Sequence, residues 1–127
     1  MIAYTTLGTN DLKKAVAFYD ALFGEIGVNQ SWADDNFVGY GPAMDQPMFA
    51  VCNPHDGNAA TAGNGTMIAL ACPDKDTVHK LYDKAIELGG QCEGPAGPRG
   101  DTGFYCGYFR DPDGNKINAF AMVPPSA

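Results

Sequence analysis

Gly103-Phe-Tyr-Cys-Gly-Tyr-Phe-Arg-Asp-Pro-Asp-Gly-Asn-Lys-Ile-Asn-Ala-Phe-Ala-Met122 is the stretch whose reading decides the fold. Two apolar, aromatic-rich runs flank Arg110-Asp111-Pro112-Asp113-Gly114-Asn115. Pro112 presets φ for a turn, and Gly114 takes the positive φ needed to reverse the chain. Two β-forming runs joined by such residues predict a hairpin. Its second strand alternates, so one face carries Asn118 and Phe120.

Working outward, the same order of elements appears twice. Residues 2–8 predict a strand. Asn10 and Asp11 cap a helix whose Leu12, Ala15, Val16, Tyr19, Leu22 and Phe23 form an apolar stripe, with Gly24 as its stop. Val28, Trp32, Phe37–Tyr40 and Met48–Cys52 predict three short strands. Residues 54–64 are small, polar and Gly-containing, and predict a linker. Thr66–Cys72 then predicts a strand. Pro73-Asp74 opens a helix with Val78, Leu81, Tyr82, Ala85 and Leu88 on one face, and Gly89-Gly90 closes it. Gln91–Gly97 and the hairpin complete the second half. A shift of 63 positions places Asp11 on Asp74, Tyr19 on Tyr82, Leu7 on Leu70 and Gly27 on Gly90. The expectation is an α+β domain over residues 1–127, built of a βαβββ module (1–53), a linker (54–64) and a second βαβββ module (65–123). Each half-sheet has an apolar face it cannot bury alone, so the two should pack together.

The 127 residues suit one domain, and the 45% apolar content can supply its core. No apolar run is long enough to span a bilayer. The start, Met1-Ile-Ala-Tyr-Thr-Thr-Leu7, has no secretion-signal pattern, which makes the cytoplasm the expected location. A net charge of −7 argues against nucleic acid. No Lys or Arg lies between Lys14 and Lys75, whereas Asp20, Glu25, Asp34, Asp35, Asp45, Asp56 and Asp74 do. That asymmetry suits either a solvated acidic face or a field attracting a cation. Cys52, Cys72, Cys92 and Cys106 lack zinc-site spacing and read as free thiols.

The repeat, the entry Leu7-Gly-Thr-Asn-Asp-Leu12 leading to Ala17-Phe-Tyr19, and the exit Phe109-Arg-Asp-Pro-Asp-Gly-Asn-Lys-Ile117 resemble the vicinal oxygen chelate superfamily. Its members include glyoxalase I, bleomycin-binding resistance proteins, fosfomycin-resistance transferases and extradiol dioxygenases. The resemblance implies a curved, cup-shaped mixed sheet with helices outside, and often a homodimer, sometimes with halves exchanged across the linker. In metal-using members the ion sits in the cup on four strand positions. Carried over one at a time, these are Tyr4, Met67, Asn118 and a fourth near Phe49, within about a residue. A phenol, a thioether, an amide and a benzene ring do not make a site for Fe(II), Mn(II) or Zn(II), which want imidazole and carboxylate. The expectation is therefore no metal and no cofactor. His55 and Asp56 in the linker are the one possible replacement set.

Alternation and the analogy with the transferases give the expected cup lining. It comprises Tyr4, Thr6, Trp32, Phe49, Met67, Phe104, Cys106, Tyr108 and Asn118, with Ala69 and Phe120 facing the same way. The same residues would otherwise be ordinary core, although a buried Tyr4 or Asn118 would need polar partners. Cys106 has no nearby His to activate it, His79 reads as a surface residue, and Arg99 either clamps an anion or sits exposed in its loop. Two readings follow. One is a metal-free protein binding a small, cationic aromatic molecule without chemistry. The alternative is a lyase, isomerase or dioxygenase using a rebuilt metal site or a Tyr or Cys acid–base.

Overall fold

The computed structural model describes residues 1–124. Its elements are β1 (Tyr4–Gly8), α1 (Leu12–Gly24), β2 (Gln30–Ala33), β3 (Phe37–Tyr40), β4 (Met48–Cys52), β5 (Ile68–Ala71), α2 (Lys75–Glu87), β6 (Gln91–Pro98), β7 (Phe104–Arg110) and β8 (Lys116–Met122). The strands form two four-stranded mixed sheets, ordered β1-β4-β3-β2 and β5-β8-β7-β6. In each, the helical crossover makes the first strand parallel to the last, and the remaining pairs are antiparallel. This is the expected α+β architecture of two βαβββ units.

Both helices start on an aspartate. Asp11 accepts from the Lys14 amide and Asp74 from the Thr77 amide, satisfying donors that a first turn leaves free. α1 ends on Gly24, the expected stop. Glu25 caps it, and the chain turns at Gly27 with φ 71°. The shift of 63 holds for both helices, 12–24 onto 75–87, and then breaks. β6 and β7 have 8 and 7 residues against 4 each in β2 and β3.

Ala15, Phe18, Tyr19, Leu22 and Phe23 of α1 pack with Leu7, Val38, Tyr40, Phe49 and Val51. Val78, Leu81 and Ala85 of α2 pack with Phe109, Ile117, Ala119 and Ala121. Full burial of each large apolar side chain contributes about 1.5–3 kcal/mol. The helices meet each other, so both sheets share one core through their helix-covered faces.

The Asp111–Asn115 turn joins the two halves. The buried Asp111 carboxylate accepts from the Tyr19 hydroxyl (2.6 Å), the Asp113 and Asn115 amides (2.9 Å each) and the Asn115 side chain (3.0 Å). Asn115 also donates to Gly8 O at 2.9 Å, and Asp113 accepts from the Asn10 amide at 3.0 Å. Burial, and then the Asp111 charge, push the Tyr19 pKa well above that of a free phenol. The most recognisable motif of the sequence thus links β1 and α1 of the first unit to the hairpin of the second.

Candidate functional site

Pairing register decides which side chains share the faces turned away from the helices. In the first sheet Tyr4 lies opposite Met48, Thr6 opposite Ala50 and Gly8 opposite Cys52. Ala50 lies opposite Gly39, which lies opposite Trp32, and Cys52 lies opposite Phe37. Tyr4, Thr6, Trp32, Phe37, Met48, Ala50 and Cys52 therefore occupy one face. Tyr4 and Trp32 are 56% and 47% exposed, and the Tyr4 ring meets Phe37 edge-on at 6.0 Å. The Trp32 indole donates to Asp34 at 3.1 Å.

Phe49 corrects the expectation. It is buried between Tyr19 and Phe23 of α1, with ring centroids 4.9 and 5.2 Å apart. A one-residue difference flips a strand side chain to the other face. The neighbouring residue Ala50, within the stated one-residue margin, is the one on the open face; it lies opposite Thr6 as Asn118 lies opposite Ala69, the residue 63 positions on from Thr6.

In the second sheet the open face runs in rows. Arg110 lies opposite Lys116, Tyr108 opposite Asn118, Cys106 opposite Phe120, and Phe104 opposite Met122. Asn118 and Cys106 are fully buried, and the Asn118 amide donates to Gly107 O at 3.4 Å. Phe104 and Phe120 stack at 5.5 Å. Met67 precedes β5 and is 39% exposed. The Tyr108 pKa is raised, first by the adjacent Cys106 thiol and then by burial, with Arg99 opposing. That keeps Tyr108 a neutral phenol. Burial raises the Cys52 and Cys72 thiols too, which disfavours thiolates.

The expected single lining is divided. An open cavity of about 1000 Å³ runs along the first sheet, between Tyr4, Thr6, Phe37, Cys52 and the segment carrying His55 and Asp56. A second, of about 560 Å³, lies between residues 62–67 and Arg110 and Lys116, and of the expected lining only Met67 borders it. Tyr4 and Thr6 share the first with none of Met67, Phe104, Cys106, Tyr108 or Asn118. No hydrogen bond or aromatic pair among the described residues links the two groups.

At the strand positions where the resemblance implies a metal, the donors are poor. Tyr4, Ala50, Met67 and Asn118 offer one neutral phenol, one methyl, one thioether and one neutral amide oxygen. This set does not fit a divalent ion, because nothing in it is anionic or an imidazole. His55 and Asp56 do reach the first cavity. Among the described residues, though, no three His, Cys, Asp or Glu side chains come together.

Paired βαβββ units, each a mixed four-stranded sheet with a helix on one face, define an α+β architecture of two repeated halves. A family model for the Glyoxalase/Bleomycin resistance protein/Dioxygenase superfamily matches residues 1–119, and the chain belongs to that superfamily. A glyoxalase/bleomycin resistance protein from Albidiferax ferrireducens is 36% identical over 95% of this chain and 98% of that one, with a TM-score of 0.85. A lactoylglutathione lyase from Agrobacterium tumefaciens (24% identity, 95% and 92% coverage, TM-score 0.70) shares the fold. So does a glyoxalase/bleomycin resistance protein/dioxygenase family enzyme from Burkholderia phytofirmans (19%, 95% and 98%, 0.76). No curated protein matches.

Proposed function

We propose that this chain is a metal-free member of its superfamily that binds a small aromatic molecule on the faces its helices leave open. The donor set carries the reading: at the four positions Tyr4, Ala50, Met67 and Asn118 there is neither carboxylate nor imidazole. The same faces present Tyr4, Phe37, Trp32, Phe104, Phe120 and Tyr108, a surface suited to flat apolar ligands. A neutral Tyr108 beside a buried Cys106 offers little for acid–base chemistry.

Two half-linings in one chain, with Tyr4, Trp32, Met67 and Met122 exposed, support a homodimer in which the first sheet of one copy faces the second sheet of the other. The expected cationic character of the ligand has support only on the first sheet, where Asp56 lines the cavity. On the second sheet Arg110 is paired with Glu93, and Lys116 lies across from Arg110.

Titration of a panel of small aromatic compounds against Trp32 fluorescence tests the reading, alongside metal analysis of protein purified without chelator. Saturable quenching with substoichiometric metal is the expected result. Stoichiometric metal, or turnover that appears only on adding Fe(II), Mn(II) or Ni(II) and is lost in Asn118→Ala, would replace it with the lyase or dioxygenase reading.

A further inference from the structure

The segment joining the two units is also a wall of the first cavity. Residues 54–57 and 59–61 border the space of about 1000 Å³, with Tyr4, Thr6 and Phe37 on the sheet side. The segment contains no helix or strand, and a stretch of this length without either is often a binding loop. It makes its own turn. The Gly57 amide donates to Pro54 O (3.1 Å), and the Asp56 carboxylate accepts from the Asn58 amide (2.9 Å) and the Asn58 side chain (3.1 Å). Among the described residues, one side chain alone ties residues 54–66 to the two units by hydrogen bonds. Asn10 Oδ1 accepts from the Ala60 amide at 2.7 Å, and Asn10 Nδ2 donates to Ala60 O at 3.1 Å. Both backbone groups of Ala60 thus meet one amide side chain.

Asn10 is a fixed post. Its own amide donates to Asp113 Oδ1 at 3.0 Å, Thr9 before it is buried, and Asp11 after it caps α1. The segment comes closest to β1 at Gly8, which lies in the same row as Tyr4 and Thr6. A Cβ there would lie 3.0 Å from Ala60 Cβ and 3.7 Å from Pro54 Cγ, so the missing side chain lets the segment lie on the open face. The two Asn10 bonds are exposed, where water competes for both partners and the net gain is modest. They can break without disturbing the core beneath. His55 and Asp56 ride on the segment, so their place at the cavity depends on that attachment.

We propose that residues 54–61 form a strap that opens to admit a ligand to the first-sheet face and closes over it, with Asn10 as the positioning residue that latches it shut. The inference rests on the small-molecule reading above and adds how the ligand enters and is retained. With the latch closed, His55 and Asp56 border the bound molecule. With it open, the face of Tyr4 and Thr6 is free along its length. Asn10 acts through Ala60, and closure shows chiefly in the rate at which a ligand leaves.

Two measurements on the full chain test this. One is hydrogen-exchange mass spectrometry of residues 54–62. The other is stopped-flow binding of two fluorescent aromatic probes, the neutral N-phenyl-1-naphthylamine and the cationic 4-(dimethylamino)styryl-N-methylpyridinium. At least one probe is expected to bind wild type and to slow exchange in the strap. Asn10→Ala should speed strap exchange about tenfold or more. It should also release the probe about threefold faster or more. Gly8→Ala, whose Cβ crowds Ala60, should act in the same way, and Gly8→Ala with Ala60→Gly should recover slow release. Asp74→Ala removes the cap of α2 and should lower the melting midpoint without changing strap exchange or probe release. Circular-dichroism melts establish that each variant is folded. If Gly8→Ala is not, Asn10→Ala, whose side chain is exposed, decides alone. Unchanged exchange or unchanged release in Asn10→Ala overturns the proposal, as does an equal effect of Asp74→Ala. A probe that binds wild type and all variants with the same release rate leaves the small-molecule reading standing and removes this one. Binding of neither probe removes both.

Discussion

Asp111 shows how a single side chain can serve two units at once. Its carboxylate collects a phenol, two amides and a side-chain amide, and the phenol belongs to the other half of the chain. Tyr19→Phe should cost about 1–3 kcal/mol, because a buried charged acceptor loses one donor. The pH dependence has a definite sign. The Tyr19 pKa is raised in the fold, so its contribution is complete below the unfolded value of about 10 and is lost as pH rises beyond it. Urea unfolding at pH 7 and above pH 10 should show wild type losing more stability than Tyr19→Phe; equal losses would contradict the assignment. Phe49 makes a separate point. Phe49→Ala should cost about 3–5 kcal/mol, as for a core aromatic, while the folded fraction keeps its affinity for any cup ligand. A ligand-affinity defect without destabilisation would return Phe49 to the cup.

At the scale of elements, the two helices resemble each other more than the sheets they cover. Each begins on an aspartate, in register at the shift of 63. Asp11→Ala should cost about 1 kcal/mol in denaturant unfolding. Asp74→Ala should lower the melting midpoint by a few degrees at neutral pH. That difference should shrink in acid, because hydrogen bonds from Thr77 hold the Asp74 pKa below its ordinary value. A depressed carboxyl contributes above its unfolded pKa and is lost as pH falls through the folded one. A midpoint difference that grows in acid would refute the cap. The sheets diverge because β6 and β7 are longer, which carries the Arg99 loop over Tyr108. β2 and β3 leave the corresponding face of the first sheet open.

Across the whole molecule, the two open faces differ in what they carry. Asp56 lines the first, and on the second Arg110 is paired with Glu93, with Lys116 across from Arg110. Opposite sheets from two copies would cover Tyr4, Trp32 and Met67. Light scattering at micromolar concentration should give twice the mass of the 13.4 kDa chain, and Trp32→Asp should shift it toward monomer. A monomer at all concentrations would remove this assembly and leave the two faces as separate sites. Among the described residues no helix is long and apolar enough to cross a membrane.

Local chemistry made most of the fold legible. Caps at Asp11 and Asp74, a 3.6-residue stripe in each helix, and the Pro112–Gly114 turn act within a few residues, so their order along the chain identifies two βαβββ units. The lack of imidazole and carboxylate at Tyr4, Met67 and Asn118 was equally visible, since side-chain identity is all a donor needs. Where those side chains meet was not. A strand reverses its faces every residue, so only hydrogen-bond register could turn Phe49 into the core and bring Ala50 to the open side. Nor does spacing along the chain reveal that Arg99 reaches Tyr108 over Gly94, or that the two half-linings do not meet within one chain, because those relations depend on loop paths and unit packing.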